Sequence, residues 1–337
     1  MVDPKTAAEK LQELIENACS TSPLLLGIKA SYPSSRWQSL RPGVWVKRED
    51  ELSFTLSGPK FRKFCGLHKA LEAHSRVVSW GSARSAFLLG LAQICREMGK
   101  ELDLVLLQST PYQDFGTDVL YQNAFNGCSL QWLSRDAWSS APDRAREFAN
   151  DQGDTLILPE GGACQEGLAG ALSLALDLTE QFQSLAIPVE AIWIDAGSGF
   201  TAQALIWGLG TLMEKPPLLH VVLCAGNEES FRKGLSERGR EAQDLAEIVW
   251  RAAPYRCHRP VTAASYGATN RAVWDKIAWE HQQHGLLLDP LYTAKLLLTF
   301  EAFRQEQGHQ AKTSLVVHSG GALNNFGFKD GFRARQP

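Results

Sequence analysis

The chain has 337 residues, a net charge of −3 and a pI of about 6.3. This length allows two domains of roughly 100–200 residues each, and 44% hydrophobic beside 21% charged residues is ordinary for a globular protein. The balanced charge, with no dense block of lysine and arginine, argues against nucleic acid or an anionic membrane as a partner.

The first segment, residues 1–18, predicts an amphipathic helix with Leu11, Leu14 and Ile15 on one side. It lacks the apolar core of a secretory signal, and no stretch reaches the roughly 20 apolar residues that a membrane span needs. The seven cysteines have no Cys-x-x-Cys spacing and mostly lie in apolar segments, so we expect reduced core thiols and no metal site. Together these features predict a soluble, cytoplasmic protein.

Short β-rich runs recur along the chain, and several are apolar throughout, as is typical of strands covered on both faces of a parallel sheet. They are Val44–Val46, Val77–Trp80, Leu104–Leu107, Leu156–Leu158, Ile192–Asp195, Val221–Cys224 and Leu315–His318. Helical patterns lie between them, at Ser85–Met98, Gln165–Phe182, Thr201–Met213 and Tyr292–Arg304. This alternation predicts an α/β architecture with right-handed crossovers.

Four glycine-rich turns follow or open these elements, at residues 57–60, 160–162, 197–201 and 318–321. The turn at 197–201 lies between a predicted strand and a predicted helix, where backbone N–H groups and the helix dipole favour an anion such as phosphate. A tight turn without a ligand explains that segment equally well. It does not match the nucleotide-binding fingerprints, since neither G-x-G-x-x-G nor a Gly-Lys-Ser/Thr ending is present.

Six motif-like segments follow one another between about residues 44 and 327. They are VKREDELSFTLSGPKFRKFCGLHKAL, LPEGGACQEGLAG, IDAGSGFTAQAL, SYGATN, GLLLDPLYTAKLLL and LVVHSGG. In this order they resemble the pyridoxal phosphate (PLP)-dependent aminocyclopropane-carboxylate deaminase and D-cysteine desulfhydrase family. The resemblance implies the tryptophan synthase beta-like PLP fold, fold type II: an α/β protein with two three-layer α/β/α domains and mostly parallel twisted sheets. It further implies a large PLP-binding domain at 1–55 and 169–337, a small domain at 56–168, and a homodimer.

The resemblance assigns the cofactor contacts. Lys60 would hold PLP as a Schiff base, and Arg62 and Lys63 would be nearby cations that help lower the pKa of its amine. Ser319 would face the pyridine nitrogen, and a neutral hydroxyl there leaves the ring weakly electron-withdrawing. The cofactor phosphate would rest on Gly197, Ser198, Gly199 and Thr201.

Two tyrosines match active-site positions of the family, Tyr266 and Tyr292, and a phenol near the cofactor can move a proton. Taken singly, each is explained as well by a half-buried tyrosine with a solvated hydroxyl. Thr293 fits the desulfhydrase form of its motif. Asp195, a lone carboxylate at a strand end, is interpreted as structural.

The loop after the second predicted strand departs from the family pattern, because GSARSAF replaces a segment with a Ser-Asn pair. Ser82 or Ser85 could take the place of the serine that contacts the substrate or acts as nucleophile. Arg84 could bind a substrate carboxylate with its bidentate fork or face solvent at a helix start. Phe200 is a second departure, since glycine is usual at that point of the phosphate loop.

The function implied is a PLP-dependent lyase or deaminase acting on a small amino acid such as D-cysteine. It would work by α,β-elimination, releasing ammonia and a keto acid, with PLP as the electron sink. Two alternatives stay open: other PLP chemistry on the same scaffold, such as racemisation or β-replacement, and a PLP-binding protein that has lost turnover.

Overall fold

A computed structural model describes residues 6–26, 30–56, 58–108, 119–150, 154–245, 247–308 and 312–328. Within these ranges the strands form two sheets, one of six and one of four strands, with helices packed around them. The helices are α1 Ala7–Cys19, α2 Pro59–Ala73, α3 Ala86–Glu97, α4 Val119–Ala124, α5 Ala141–Asn150, α6 Gln165–Leu185, α7 Phe200–Leu212, α8 Glu228–Leu245, α9 Arg271–His284 and α10 Thr293–Gln307. The predicted α/β class is therefore confirmed.

The six-stranded sheet has the order β1-β2-β10-β7-β8-β9. Its strands are β1 Trp37–Arg41, β2 Val44–Lys47, β7 Ala191–Ala196, β8 Leu218–Leu223, β9 Tyr255–His258 and β10 Ser314–Val317. All neighbouring pairs are parallel except β1 with β2. Its central strands are almost completely buried, as expected of a sheet covered on both faces.

The four-stranded sheet is entirely parallel and has the order β5-β4-β3-β6. Its strands are β3 Arg76–Ser82, β4 Glu101–Leu107, β5 Ser129–Leu133 and β6 Thr155–Leu158. All four lie inside the segment 56–168 that was assigned to the small domain. The exact domain boundaries stay a prediction.

The seven predicted strands are present with shifts of a few residues at their ends: Cys224 and His318 lie just beyond β8 and β10. Three strands were missed, β1, β5 and β9, and each is an edge strand of its sheet. These three edge strands are partly exposed, and their sequences mix polar and apolar residues, whereas the edge strand β6 keeps an apolar run and was predicted.

Helix α2 corrects the placement of Lys60, which lies in the first turn of this helix and not in a loop. Pro59 occupies the first helical position, where its missing N–H costs nothing. Gly58 precedes it with a φ of +61°, and a Cβ there would lie 2.3 Å from the carbonyl oxygen of Ser319. The close approach therefore requires glycine, and it places the start of α2 against the loop after β10.

The other face of α2 is fixed by a buried network of charges. The Arg62 guanidinium donates to both carboxylate oxygens of Glu49, at 2.6 and 2.7 Å, and to Asp177 of α6 at 2.6 Å. Lys47, at the end of β2, donates to the same Asp177 oxygen at 2.5 Å. Two cations thus meet two carboxylates, and the network joins β2, α2 and α6.

Candidate active site

A cleft lies where parallel strands of both sheets end. Its wall includes residues that terminate or follow β3, β6, β7 and β10, which is where open parallel sheets usually bind ligands. The volume is about 1000 Å³ including the open mouth. Because strands from both sheets contribute their carboxyl ends, side chains that are far apart in sequence meet there.

Every residue proposed from the sequence lines this cleft, although the roles assigned to these residues stay predictions. They are Lys60, Ser82, Arg84, Ser85, Gly197, Ser198, Gly199, Thr201, Tyr266, Tyr292 and Ser319. Arg62 was expected to be a cation beside Lys60, and that expectation is wrong: its side chain is held in the buried network on the opposite face of α2.

Lys60 presents an amine whose pKa is lowered from that of a free lysine. Desolvation lowers its pKa, and this outweighs the opposing effect of the carboxylates of Asp195 and Asp289. Among the residues described, no side chain forms an ion pair or hydrogen bond with this amine. An amine in a cleft with a lowered pKa and no side-chain partner is suited to attack on an aldehyde, because attack requires the deprotonated form.

Lys63, one turn further along α2, is the second amine of the cleft. Burial, with a smaller contribution from the nearby positive charge of Lys60, lowers its pKa to about 7. It donates to the carbonyl oxygen of Gly161 at 2.5 Å and lies 5.5 and 5.3 Å from the ring centres of Phe87 and Phe200. With no carboxylate partner in the described ranges, this amine is available to an anionic ligand.

The turn at residues 197–199 leads directly into the N-terminus of α7. Gly199 has a φ of +84°, and a Cβ on Gly197 would lie 3.0 Å from the Tyr292 ring, so larger residues are excluded. The first N–H groups of a helix lack intrahelical partners and carry the positive end of its dipole. Phe200 does not obstruct them, because its ring is buried between Lys63 and Arg238. The turn therefore fits a phosphate group.

Tyr266 and Tyr292 lie side by side at the cleft, with ring centres 6.2 Å apart. Desolvation raises the pKa of both phenols, and for Tyr292 the neighbouring Tyr266 adds to the rise. Both hydroxyls stay protonated at neutral pH as a result, so either can donate a proton or a hydrogen bond.

The loop at 82–85, whose sequence differs from the family pattern, forms the wall of the cleft on the side of the four-stranded sheet. The Ser82 hydroxyl accepts from the Arg84 backbone N–H at 3.3 Å, and the Ser85 hydroxyl caps α3 by accepting from Leu88 at 3.3 Å. The Tyr121 hydroxyl donates to the carbonyl oxygen of Arg84 at 3.0 Å. Arg84 itself is exposed while lining the cleft, so both sequence interpretations of it survive.

Two acidic residues of the cleft wall were assigned no role in the site from the sequence, where Asp195 was interpreted as structural. Asp195, near the end of β7, accepts a 2.7 Å hydrogen bond from the Ser319 hydroxyl. Burial raises the pKa of Asp195 to about 6, although that hydrogen bond opposes the rise. Glu160 also lines the cleft, and desolvation raises its pKa. A single acid at a strand end or in a turn carries no pattern that would have identified either one.

Asp289 lies just before α10 and holds the start of that helix. Its carboxylate accepts from the backbone N–H groups of Leu291, Tyr292 and Thr293, and also from the Thr293 hydroxyl at 2.8 Å. Thr293 is accordingly buried with its hydroxyl committed to Asp289.

The described residues offer neither a cluster of metal ligands nor a membrane-spanning helix. Within the described ranges, no three histidine, cysteine, aspartate or glutamate side chains come together as a metal site would need. None of the helices there combines the length and apolar character required to cross a membrane. All seven cysteines carry free thiols, and four of them are buried.

A known structure shares the fold of this chain. The crystal structure of an aminocyclopropane-carboxylate (ACC) deaminase homologue matches with a TM-score of 0.78 and 21% identity, covering 96% of this chain and 98% of that chain. This match confirms the predicted PLP fold of type II.

The chain is also similar in sequence to curated lyases and deaminases. D-cysteine desulfhydrase of Serratia proteamaculans is 24% identical over 296 residues, which cover 85% of this chain and 88% of that protein. A Pyrococcus furiosus protein, provisionally named 1-aminocyclopropane-1-carboxylate deaminase, is 23% identical over 296 residues, with coverages of 85% and 87%. No protein-family model matches the chain. The resemblance predicted from the six motifs is confirmed, and these relatives support an enzyme of the lyase and deaminase class.

Proposed function

We propose that this chain is a PLP-dependent lyase that acts on a small amino acid by α,β-elimination, releasing ammonia and a keto acid. One observation carries the proposal: the Lys60 amine, whose pKa is lowered by burial, shares a single cleft with a glycine turn at the N-terminus of α7 that suits an anion. A phosphorylated aldehyde matches that pair of features. D-cysteine desulfhydrase and ACC deaminase activities among the relatives indicate the substrate class.

The residues of the cleft divide the work. Lys60 would hold PLP covalently, the turn at 197–201 and Lys63 would hold its phosphate, and Ser319 would face the ring nitrogen. Bound PLP supplies the electron sink for the carbanion formed at the substrate α-carbon. The Lys60 amine, whose pKa is lowered by desolvation, would take the α-proton of the substrate as a general base.

The loop at 82–85 would bind the substrate carboxylate through Ser82, Ser85 and Arg84. The two tyrosines, Tyr266 and Tyr292, remain protonated and would donate to the departing group or the substrate. A cytoplasmic homodimer is the working form that the resemblance to this family implies, and sedimentation of the purified protein measures its mass.

Borohydride reduction tests the covalent bond. The protein is incubated with PLP, reduced, digested and mapped by mass spectrometry, and the label is expected on the peptide that contains Lys60. Lys60→Ala should abolish labelling and the visible absorption band, whereas Lys69→Ala, an exposed lysine of the same helix, should change neither. Labelling at Lys63 alone would contradict the assignment.

A panel of D- and L-amino acids then tests the reaction. Release of keto acid, ammonia and, from cysteine, sulfide supports elimination. Exchange of the α-proton or inversion without keto acid would favour racemisation, and incorporation of an added nucleophile would favour β-replacement. A cofactor band that no amino acid perturbs would leave a binding protein without turnover.

A further inference from the structure

The Ser319 hydroxyl and the Asp195 carboxylate form a pair in the wall of the cleft. Ser319 follows β10, Asp195 lies near the end of the adjacent strand β7, and the Ser319 Oγ to Asp195 Oδ1 distance is 2.7 Å. Both side chains are only partly buried, since each has one side open to the cleft.

A serine hydroxyl has one hydrogen to donate and two lone pairs. Because an ionised carboxylate can only accept, the hydrogen of Ser319 is committed to Asp195. What Ser319 presents to a ligand in the cleft is therefore a lone pair, and the ligand atom it meets must be a hydrogen-bond donor. This is the reverse of a serine that stands alone, which would donate to an unprotonated ring nitrogen.

We infer that Asp195 acts through Ser319 to hold the ring nitrogen of the cofactor in its protonated form. The inference rests on the proposed function, which supplies the ring. In PLP the aldehyde carbon and the nitrogen are at opposite ends of the ring, so an aldehyde at Lys60 leaves the nitrogen for a group elsewhere on the cleft wall. Ser319 is such a group, and Asp195 is close enough to influence the Lys60 amine electrostatically.

The consequence is chemical. A protonated ring nitrogen withdraws electrons more strongly than a neutral one, so it better stabilises negative charge at the substrate α-carbon. The sequence predicted a weakly withdrawing ring because it offered only the neutral hydroxyl of Ser319. The carboxylate behind that hydroxyl changes this expectation, and Asp195 becomes a positioning residue that also supplies the balancing charge.

Nitrogen NMR of the holoenzyme tests the inference directly. PLP labelled with ¹⁵N in the ring is bound to the wild-type protein, to Asp195→Asn and to Ser319→Ala. The wild type is expected to give the shift of a protonated pyridine. Asp195→Asn should move it toward the unprotonated position, because the amide can satisfy Ser319 without supplying negative charge. Asp289→Asn, at the other carboxylate near Lys60, is the matched control and should retain the protonated shift.

The outcomes separate the two proposals. A wild-type shift of unprotonated pyridine, or a protonated shift that survives Asp195→Asn, would overturn the inference while leaving a bound cofactor. Equal loss in Asp195→Asn and Asp289→Asn would overturn the specific role of Asp195 in favour of the general charge of the cleft. No bound cofactor, with no Lys60 adduct, would overturn both proposals together.

Discussion

The two faces of helix α2 treat charge in opposite ways. On one face the Arg62 guanidinium is completely buried, and every charge around it has an opposite partner within hydrogen-bond distance. On the other face Lys60 and Lys63 point into the cleft without a carboxylate partner in the described ranges, and the pKa of each amine is lowered. We expect the loss of one partner on the paired face to lower stability, whereas the unpaired face is the one that we propose to bind the cofactor.

The largest effect is expected from Asp177→Ala, which leaves Arg62 and Lys47 as uncompensated buried cations. Such a loss costs about 3–5 kcal/mol of the free energy of unfolding. Asp195→Ala is the matched change on the cleft side, and it should cost no more than about 1 kcal/mol because one hydrogen bond is lost. Urea unfolding of the protein without cofactor measures both, and equal losses would refute the contrast between the two faces.

The lowered pKa of Lys63 should make the free energy of unfolding depend on pH. Its pKa is about 7 in the folded protein and 10.5 in a free lysine, so between these values the unfolded chain binds more protons. The free energy of unfolding of the wild type should therefore rise with pH across this window, by up to about 1.4 kcal/mol for each pKa unit.

Lys63→Met lacks this contribution. The variant is expected to gain stability relative to the wild type most clearly below pH 7, with the gap narrowing as the pH approaches 10. Unfolding curves at several pH values follow that gap. If the gap stays constant with pH, burial does not lower the pKa of the Lys63 amine. The cleft face of α2 is then less desolvated than the structure indicates.

The next effect concerns the contact that places Lys60. Gly58→Ala combines a left-handed φ with a collision against the Ser319 carbonyl, whereas Gly99 has φ +65° and open space around its Cα. Gly99→Ala should cost about 1 kcal/mol from backbone strain alone. We expect Gly58→Ala to cost at least about 1 kcal/mol more and to weaken PLP binding, as measured by titration of the visible band. Equal costs would show that the loop at Ser319 yields easily.

The smallest effect is expected at Asp289, an acid of the cleft region that is nevertheless fully hydrogen-bonded. Thr293→Val removes its hydroxyl partner and should cost about 1–2 kcal/mol in thermal or urea unfolding. Thr293→Ser retains the hydroxyl and should stay close to the wild type. A Ser variant as unstable as the Val variant would indicate that the methyl packing of Thr293 matters more than the capping network.

Apolar runs in the sequence predicted the central strands. The edge strands β1, β5 and β9 were not predicted because they lack such runs. β7 reads AIWIDA and is buried along nearly its whole length, whereas β9 reads YRCH and is half exposed. Pairing with a single neighbour, not burial, makes β9 a strand. Such pairing depends on residues far away in sequence, which local patterns do not report.

Motifs in the sequence predicted most residues of the site. They did not predict contacts that depend on helical geometry or on the order of the strands. Lys60 and Lys63 are three positions apart and share one helical face, while Arg62 lies on the other. Placing this segment in a turn hid that difference, because Gly-Pro indicated a turn and no helical period was applied to the residues after it. The Ser319–Asp195 pair could not be foreseen, since it depends on β10 lying next to β7.

The clamp on Arg62 has a mechanical consequence. It ties α2 to β2 and α6, so the start of that helix belongs to the framework of the six-stranded sheet. If the four-stranded sheet shifts when a ligand enters, Ser82 and Ser85 travel with it while the Lys60 amine stays in place. Closure would then bring the loop at 82–85, which we propose to bind the substrate carboxylate, toward a stationary Lys60 amine, and the pivot would lie after α2, near residue 74, not at residue 56.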